Sequence, residues 1–338
     1  MIATVPPDEP QPVLAHNQPD WRRLVEVLTM GFVGSVMVTL WGWGSPQGGV
    51  PTHVRLIGVA VAVSGIAGLI AIIIAWLRSR KLVGRRVLTL VVWTLPLLFS
   101  PPLLSQDGWA YAAQGWILTQ GMDPYRVPQG LAEVLGKAVD TPWQATTAVY
   151  PPGSLWIQAA VVKITHADPT WSVMLMRIPA LIGVALMVWA VPRLARYAGT
   201  DPDHALWLAV CCPLTTLSVV GGMHNDGLQV GLSLVALVVA IRLALIGRGW
   251  LGLVLGGAFV GLAGGVKQPG VLAGVGIVAL VHVNAVRHGG RRWSTRNCWT
   301  ALLARIAVGA IPALTVFGGI SAIHGLGMGL SLIHISEP

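Results

Sequence analysis

RLIGVAVAVSGIAGLIAIIIAWLRSRKLVGRR, residues 55–86, contains the pattern that decides the fold. No side chain from Leu56 to Leu77 is charged, and Arg78, Arg80, Lys81, Arg85 and Arg86 follow at once. An apolar run of ~20 residues, rising ~1.5 Å per residue, crosses ~30 Å of hydrocarbon, and a basic loop behind it is the usual sign of a span returning to the inner face. Eight further runs resemble the one at roughly 54–77. They lie near 24–43, 87–104, 173–192, 205–221, 227–246, 250–266, 270–283 and 299–323. The pieces 250–266 and 270–283 are short and parted by Lys267-Gln268-Pro269-Gly270, which fits either one broken helix or a tight hairpin. Over 338 residues, 54% are hydrophobic and 10% charged. Soluble domains carry about 25% charged residues, so an ordinary soluble fold is excluded. The expected class is all-α, a polytopic transmembrane helical bundle of about nine spans.

The formal charge of +9 is a statement about topology. With the N-terminus cytoplasmic and every run crossing, 15 of the 22 Lys and Arg fall in inner loops. The positive-inside rule then fixes one orientation, and the basic residues call for no nucleic acid. That orientation requires Pro151 to Lys163 not to cross, and 13 residues are too few to do so. The stretch is expected as an interfacial helix within a long outer loop, 105–170. Residues 1–23, rich in Pro and polar groups, are expected as a disordered cytoplasmic tail without a signal peptide. The 15 Trp suit a membrane interface, and Cys211, Cys212 and Cys298 have no metal or redox spacing.

A 65-residue loop in a chain of otherwise short loops is the natural place for function. Asp107 sits just past an apolar run, so a helix end holds its carboxylate at the bilayer rim. On residue chemistry alone two roles fit it equally: a general base for an acceptor arriving from water, or a cap for the following helix. Asp123, before Pro124, suits a turn better than catalysis. Tyr111, Tyr125 and Tyr150 fit sugar stacking or interfacial anchoring, and Trp116 fits anchoring. A second polar cluster, His224-Asn225-Asp226, lies between two apolar runs on the same predicted face. Charge at membrane depth is costly, which favours a functional role over a simple solvated turn. Lys267, alone in a Gly and Pro break, suits a lipid phosphate. Arg177 suits the same contact or snorkelling to headgroups.

Ser105-Gln106-Asp107, Tyr111-Ala112-Ala113-Gln114-Gly115, Gly121-Met122-Asp123-Pro124-Tyr125, Tyr150-Pro151-Pro152-Gly153, Gly222-Met223-His224-Asn225-Asp226 and Gly265-Val266-Lys267-Gln268-Pro269 form an ordered set. From about Leu88 to Val271 the chain resembles the bacterial polyprenol-phosphate-mannose-dependent α-1,6-mannosyltransferases, membrane glycosyltransferases of the GT-C type. The resemblance implies a multi-pass enzyme of the bacterial plasma membrane. It would move mannose, with inversion, from polyprenyl-phosphate mannose to a mannan or lipomannan acceptor on the outer face. It implies Asp107 as base, with Tyr111, Gln114, Asp123, Tyr125, Tyr150, His224, Asn225, Asp226 and Lys267 around the substrates. It assigns no metal site and no cofactor, and leaves a divalent cation open. Two other functions fit less closely: the same architecture with a glucose or arabinose donor, and a secondary transporter. The transporter would need paired broken helices in two related halves, and no internal repeat is visible. Family members are longer. Residues 330–338, LSLIHISEP, read like a translated sequencing adapter, so 24–329 is expected to be an incomplete transmembrane core.

Overall fold

The computed structural model describes residues 21–44, 55–288, 296–323 and 325–326. The expected tail up to residue 20, the loop 289–295 and the adapter-like segment lie outside the described residues. Among the described residues every regular element is helical. In chain order the α-helices are α1 (Trp21–Gly44), α2 (Arg55–Ser79), α3 (Arg86–Thr94), α4 (Asp107–Thr119), α5 (Glu133–Ala138), α6 (Thr141–Gln144) and α7 (Pro152–Ile164). They continue with α8 (Pro169–Leu175), α9 (Arg177–Tyr197), α10 (Pro202–Ala209), α11 (Asp226–Leu245), α12 (Gly249–Val266), α13 (Ala273–His288) and α14 (Arg296–Ile323). Trp21, Arg22 and Arg23 are already helical, so the boundary of the expected tail moves back by three residues.

Seven helices are long and apolar enough to cross a membrane, and an eighth candidate is a broken pair. That pair is α10 with a π-helix, Leu214–Gly221, bent 51° about a break that ends at Pro213. The expected span at 87–104 is shorter than the hydropathy suggests. Its helical part, Arg86–Phe99, changes from α to 3₁₀ at Pro96, whose ring cannot donate to the ladder. Ser100, before Pro101, is extended, and the helix does not resume until Asp107. Lys267-Gln268-Pro269-Gly270 resolves as a hairpin. Gly256 lies against Ile277 and Gly249 against Val281, so α12 and α13 run antiparallel.

The chain packs as two helical groups. α1 lies on α2 and reaches α3, while α9, α11, α12, α13 and α14 pack in sequence against one another. Close approach depends on small residues: a Cβ at Gly183 of α9 would collide with the carbonyl of Gly227 in α11. At the end of the bundle away from Asp107, Trp76 stacks on Trp207 with ring centroids 4.7 Å apart. Each indole N–H donates to the other residue's carbonyl, at 3.2 and 3.1 Å. Arg86 pairs there with Asp203 and donates to Ser79 O and Arg80 O.

The long loop folds into a layer of its own. α4 crosses α7, and Tyr111, Ile117, Leu135, Val162, Val173 and Met223 form its core. Burying such a side chain contributes about 1.5–3 kcal/mol, enough for the layer to hold α4 rigidly over the bundle. α7 is 13 residues long, short for a span and consistent with a helix lying in the loop.

Candidate active site

The site forms where two helices begin with a carboxylate. Asp107 is the first residue of α4 and Asp226 the first of α11, and neither helix has a side-chain N-cap bond. Asp107 thus does not cap its own helix. Its backbone N–H donates to Ser105 Oγ at 3.1 Å. The Tyr111 hydroxyl, one turn on, donates to Asp107 Oδ2 at 3.2 Å, and His224 Nδ1 lies 3.1 Å from the same oxygen. Burial pushes the Asp107 pKa up, but the hydrogen bond and charge of His224, with the Ser105 and Tyr111 hydroxyls, outweigh it. The net result lies below the ordinary value of 3.8. Burial also raises the Tyr111 phenol far above its ordinary value and Tyr150 to about 12. At neutral pH the group is one carboxylate that accepts protons among phenols that keep theirs.

Tyr150 joins this half of the site to the other. The Tyr111 and Tyr150 hydroxyl oxygens lie 3.4 Å apart, and the rings meet edge to face with centroids 5.2 Å apart. The Lys267 ammonium stands 6.0 Å from the Tyr150 ring centroid and reaches both carboxylate oxygens of Asp226, at 2.7 and 2.8 Å. Lys267 can do this because its backbone is extended, ending α12. A Cβ at Gly153 would lie 2.6 Å from the Gly265 carbonyl oxygen, so only glycine lets the start of α7 come this close to α12. The side chains of Asp107, His224, Asp226 and Lys267 are 23–43% exposed, which leaves the four polar groups open to a ligand.

Other expected site residues act from behind or lie elsewhere. Asn225 is buried and donates to Ser154 Oγ at 3.1 Å, the atom that Gln158 also reaches. Gln114 is 1% exposed in the α4 layer, so it faces the interior and not the opening. Asp123 accepts the Tyr125 N–H at 2.9 Å, closing the expected turn. The Tyr125 hydroxyl donates to the Tyr150 carbonyl at 2.7 Å and so props Tyr150 in place. Among the described residues no three His, Cys, Asp or Glu side chains converge as metal ligands would.

Arg177 corrects the sequence expectation most clearly. It neither snorkels nor stands near Lys267: it is 2% exposed, and its guanidinium donates to the carbonyls of Leu98, Ser100, Pro101 and Val220. Three of the six residues before Leu104 and the end of the π-helix before His224 are therefore gathered on one cation. The Leu103 N–H to Gly221 carbonyl bond, 3.0 Å, fastens the same two segments. Met223, buried at φ +60, then turns the chain so that His224 faces Asp107. A sequence signal for Arg177 existed in its depth past Trp171, but carbonyl density around it is not readable from hydropathy.

The sequence model of the family described as "Alpha-(1->6)-mannopyranosyltransferase, N-terminal domain" matches residues 28–284. A protein of Mycobacterium tuberculosis named Alpha-(1->6)-mannopyranosyltransferase A is 35% identical over 325 residues, covering 89% of this chain and 59% of the relative. One of Mycolicibacterium smegmatis, named as a probable alpha-(1->6)-mannopyranosyltransferase, is 37% identical over 57% of this chain and 36% of its own length. Alpha-(1->6)-mannopyranosyltransferase A of Corynebacterium glutamicum is 36% identical over 46% of this chain and 32% of its own. The chain thus spans less than two thirds of the curated relatives it matches. No solved structure matches it.

Proposed function

The chain belongs to the alpha-(1->6)-mannopyranosyltransferase family, and from that premise we propose that it transfers mannose from a polyprenyl-phosphate donor to the 6-hydroxyl of a mannan or lipomannan acceptor. The observation that carries this reading is the ionised carboxylate of Asp107, held at a helix start by His224 and Tyr111 and open to one side. In the proposed step the acceptor oxygen attacks C1 of mannose from the face opposite the phosphate. The new O–C1 bond forms as the C1–O bond to phosphate breaks, inverting C1. The acceptor proton passes to Asp107, and polyprenyl phosphate leaves with the electron pair. A phosphate needs no acid to depart, only a cation near its growing charge, and Lys267 is the available ammonium. Tyr150, between Asp107 and Lys267, spans the distance a sugar ring would occupy and offers it a phenol and a ring edge.

The proposed orientation places the N-terminus in the cytoplasm and this site on the outer face, supported by the 15 Lys and Arg assigned to loops at the other side. The test is transfer of radiolabelled mannose from polyprenyl-phosphate mannose to a short α-1,6 mannoside in membranes containing the protein. Transfer that depends on Asp107 is expected. Transfer from a glucose or arabinose lipid in place of mannose would overturn the sugar assignment, and solute uptake without transfer would overturn the enzyme assignment.

A further inference from the structure

Behind the candidate active site, where α4, α7, α9, α11 and α12 meet, lies a small cavity of about 10 Å³ lined by Tyr111, Ser154, Gln158, Met176, Asn225 and Val266 among others. Its polar members are deeply buried: Ser154 and Gln158 are 2% exposed and Asn225 is 7% exposed. Ser154 and Gln158 stand one turn apart on α7 and so share a face. Asn225 Nδ2 and Gln158 Nε2 both donate to Ser154 Oγ, each at 3.1 Å. The far ends of the two amides, Asn225 Oδ1 and Gln158 Oε1, are buried and accept no hydrogen bond among the described residues. Turning an amide over does not relieve this. Ser154 has one hydroxyl proton, so at most one of the two amides can present its oxygen to Ser154, and the other keeps an oxygen at its far end. Buried amide oxygens are partnered in the great majority of native proteins, by protein groups or by ordered water. We propose that this cavity is the binding site of one internal water molecule, which donates one O–H to each amide oxygen and accepts the hydroxyl proton of Ser154. Space for a water centre of about 10–15 Å³ holds a single water, and such a water needs two to four polar partners. The site supplies three, and its size admits nothing larger.

The water has a mechanical consequence for the site in front of it. Asn225 stands between His224, which meets Asp107 at 3.1 Å, and Asp226, which receives the Lys267 ammonium. Its side chain does not cap α11 and crosses to α7 instead. With the water in place Asn225 is tied to α7 at both ends of its amide, through Ser154 and through Gln158. α7 is itself pressed against α4, since a Cβ at Gly115 would lie 2.6 Å from the Gln158 carbonyl oxygen. The helix that carries Asp107 and the turn that carries His224 are thereby referred to one support. Gln158 is a positioning residue in this arrangement, setting the place at which His224 reaches Asp107. That role rests on Asp107 as the base; the water site does not.

The experiment is a cryo-electron-microscopy map of the full chain in lipid nanodiscs, at a resolution that shows ordered waters. One isolated peak is expected within hydrogen-bonding distance of both the Asn225 and the Gln158 amide. A cavity without density, or one closed by amides bonded directly to protein groups, would overturn the site. Gln158→Leu, of similar volume, removes one acceptor from the water. Mannosyl transfer should then fall roughly ten- to a hundredfold with the donor KM within about twofold of the wild type, because a small misplacement of catalytic groups costs rate and not ground-state binding. The acid limb of the pH–rate profile should also move upward as His224 draws away from Asp107. Gln158→Met, which keeps the length and a weak acceptor, should recover part of both effects and covers the case in which Gln158→Leu does not fold. Slower transfer with an unmoved acid limb in both variants would overturn the positioning role. Transfer undiminished by Asp107→Asn would count against the catalytic reading alone, because the map tests the water whatever the reaction is.

Discussion

Asp107 and His224, 117 positions apart in the chain, meet at 3.1 Å between Oδ2 and Nδ1. The contact joins the loop layer to the bundle, because Asp107 rides on α4 and His224 on the turn that opens α11. Asp107→Asn keeps the shape of the contact and removes the proton acceptor. Mannosyl transfer should fall ~10²- to 10⁴-fold with membrane insertion unchanged. Near-normal transfer by the variant would remove Asp107 from the role of base.

The pH dependence follows from the sign of the Asp107 shift. His224, Ser105 and Tyr111 together hold its pKa below 3.8, so the acid limb of kcat/KM should lie below the ordinary carboxylate range. A depressed carboxylate also contributes stability that is present above its unfolded pKa and disappears as pH falls through the folded one. His224→Gln keeps a hydrogen-bond donor but removes the charge, so the acid limb should move upward. A pH–rate profile of the two proteins checks this, and coincident acid limbs would refute it.

Lys267 and Asp226 are 27% and 43% exposed at their side chains, so their pairing contributes little to stability. Lys267→Met should leave thermal unfolding within about 1 kcal/mol of the wild type and raise KM for the lipid donor about tenfold or more. Asp226→Asn frees the ammonium and should not raise that KM. A Lys267→Met enzyme with wild-type donor KM would contradict the phosphate role.

Arg177→Met should be the most damaging of these changes to the fold. It strands the carbonyls of Leu98, Ser100, Pro101 and Val220 that the guanidinium now satisfies. A loss on the order of 3 kcal/mol is expected, with earlier proteolysis in the 105–170 loop. Arg177→Lys should recover only part of this, since a point ammonium cannot fork among several carbonyls. Limited proteolysis alongside thermal unfolding measures both. If Arg177→Met unfolded like the wild type, the clamp would not be holding the two segments.

How much of this was legible in the sequence depends on what each feature is made of. The long spans were legible because a membrane helix is a one-dimensional property, a run of apolar residues. The run at 87–104 misled because hydropathy averages over Pro96, Pro101 and Pro102, which end the helix without lowering the score. Asp107, His224 and Lys267 stood out as polar residues at expensive positions, but no spacing tells that Lys267 turns to Asp226 or that Tyr150 stands between the halves. Arg177 was visible as a charge and misread as a surface one, since its partners are backbone carbonyls that every residue has. Gln114 and Asn225 belong to matching motifs yet face the packing, a distinction that only the helix phase of α4 and the start of α11 makes.

The reciprocal indole bonds between Trp76 and Trp207 bear on biosynthesis. They are separated by 131 residues, so at ~5–20 residues per second the ribosome needs roughly 7 to 26 seconds to supply the second ring after the first. During that interval α2 already has α1 as a neighbour but lacks the partner for its basic end. Any insertase or chaperone that attends this chain has its longest task there, guarding a finished hairpin until a helix from the middle of the protein arrives to fasten it.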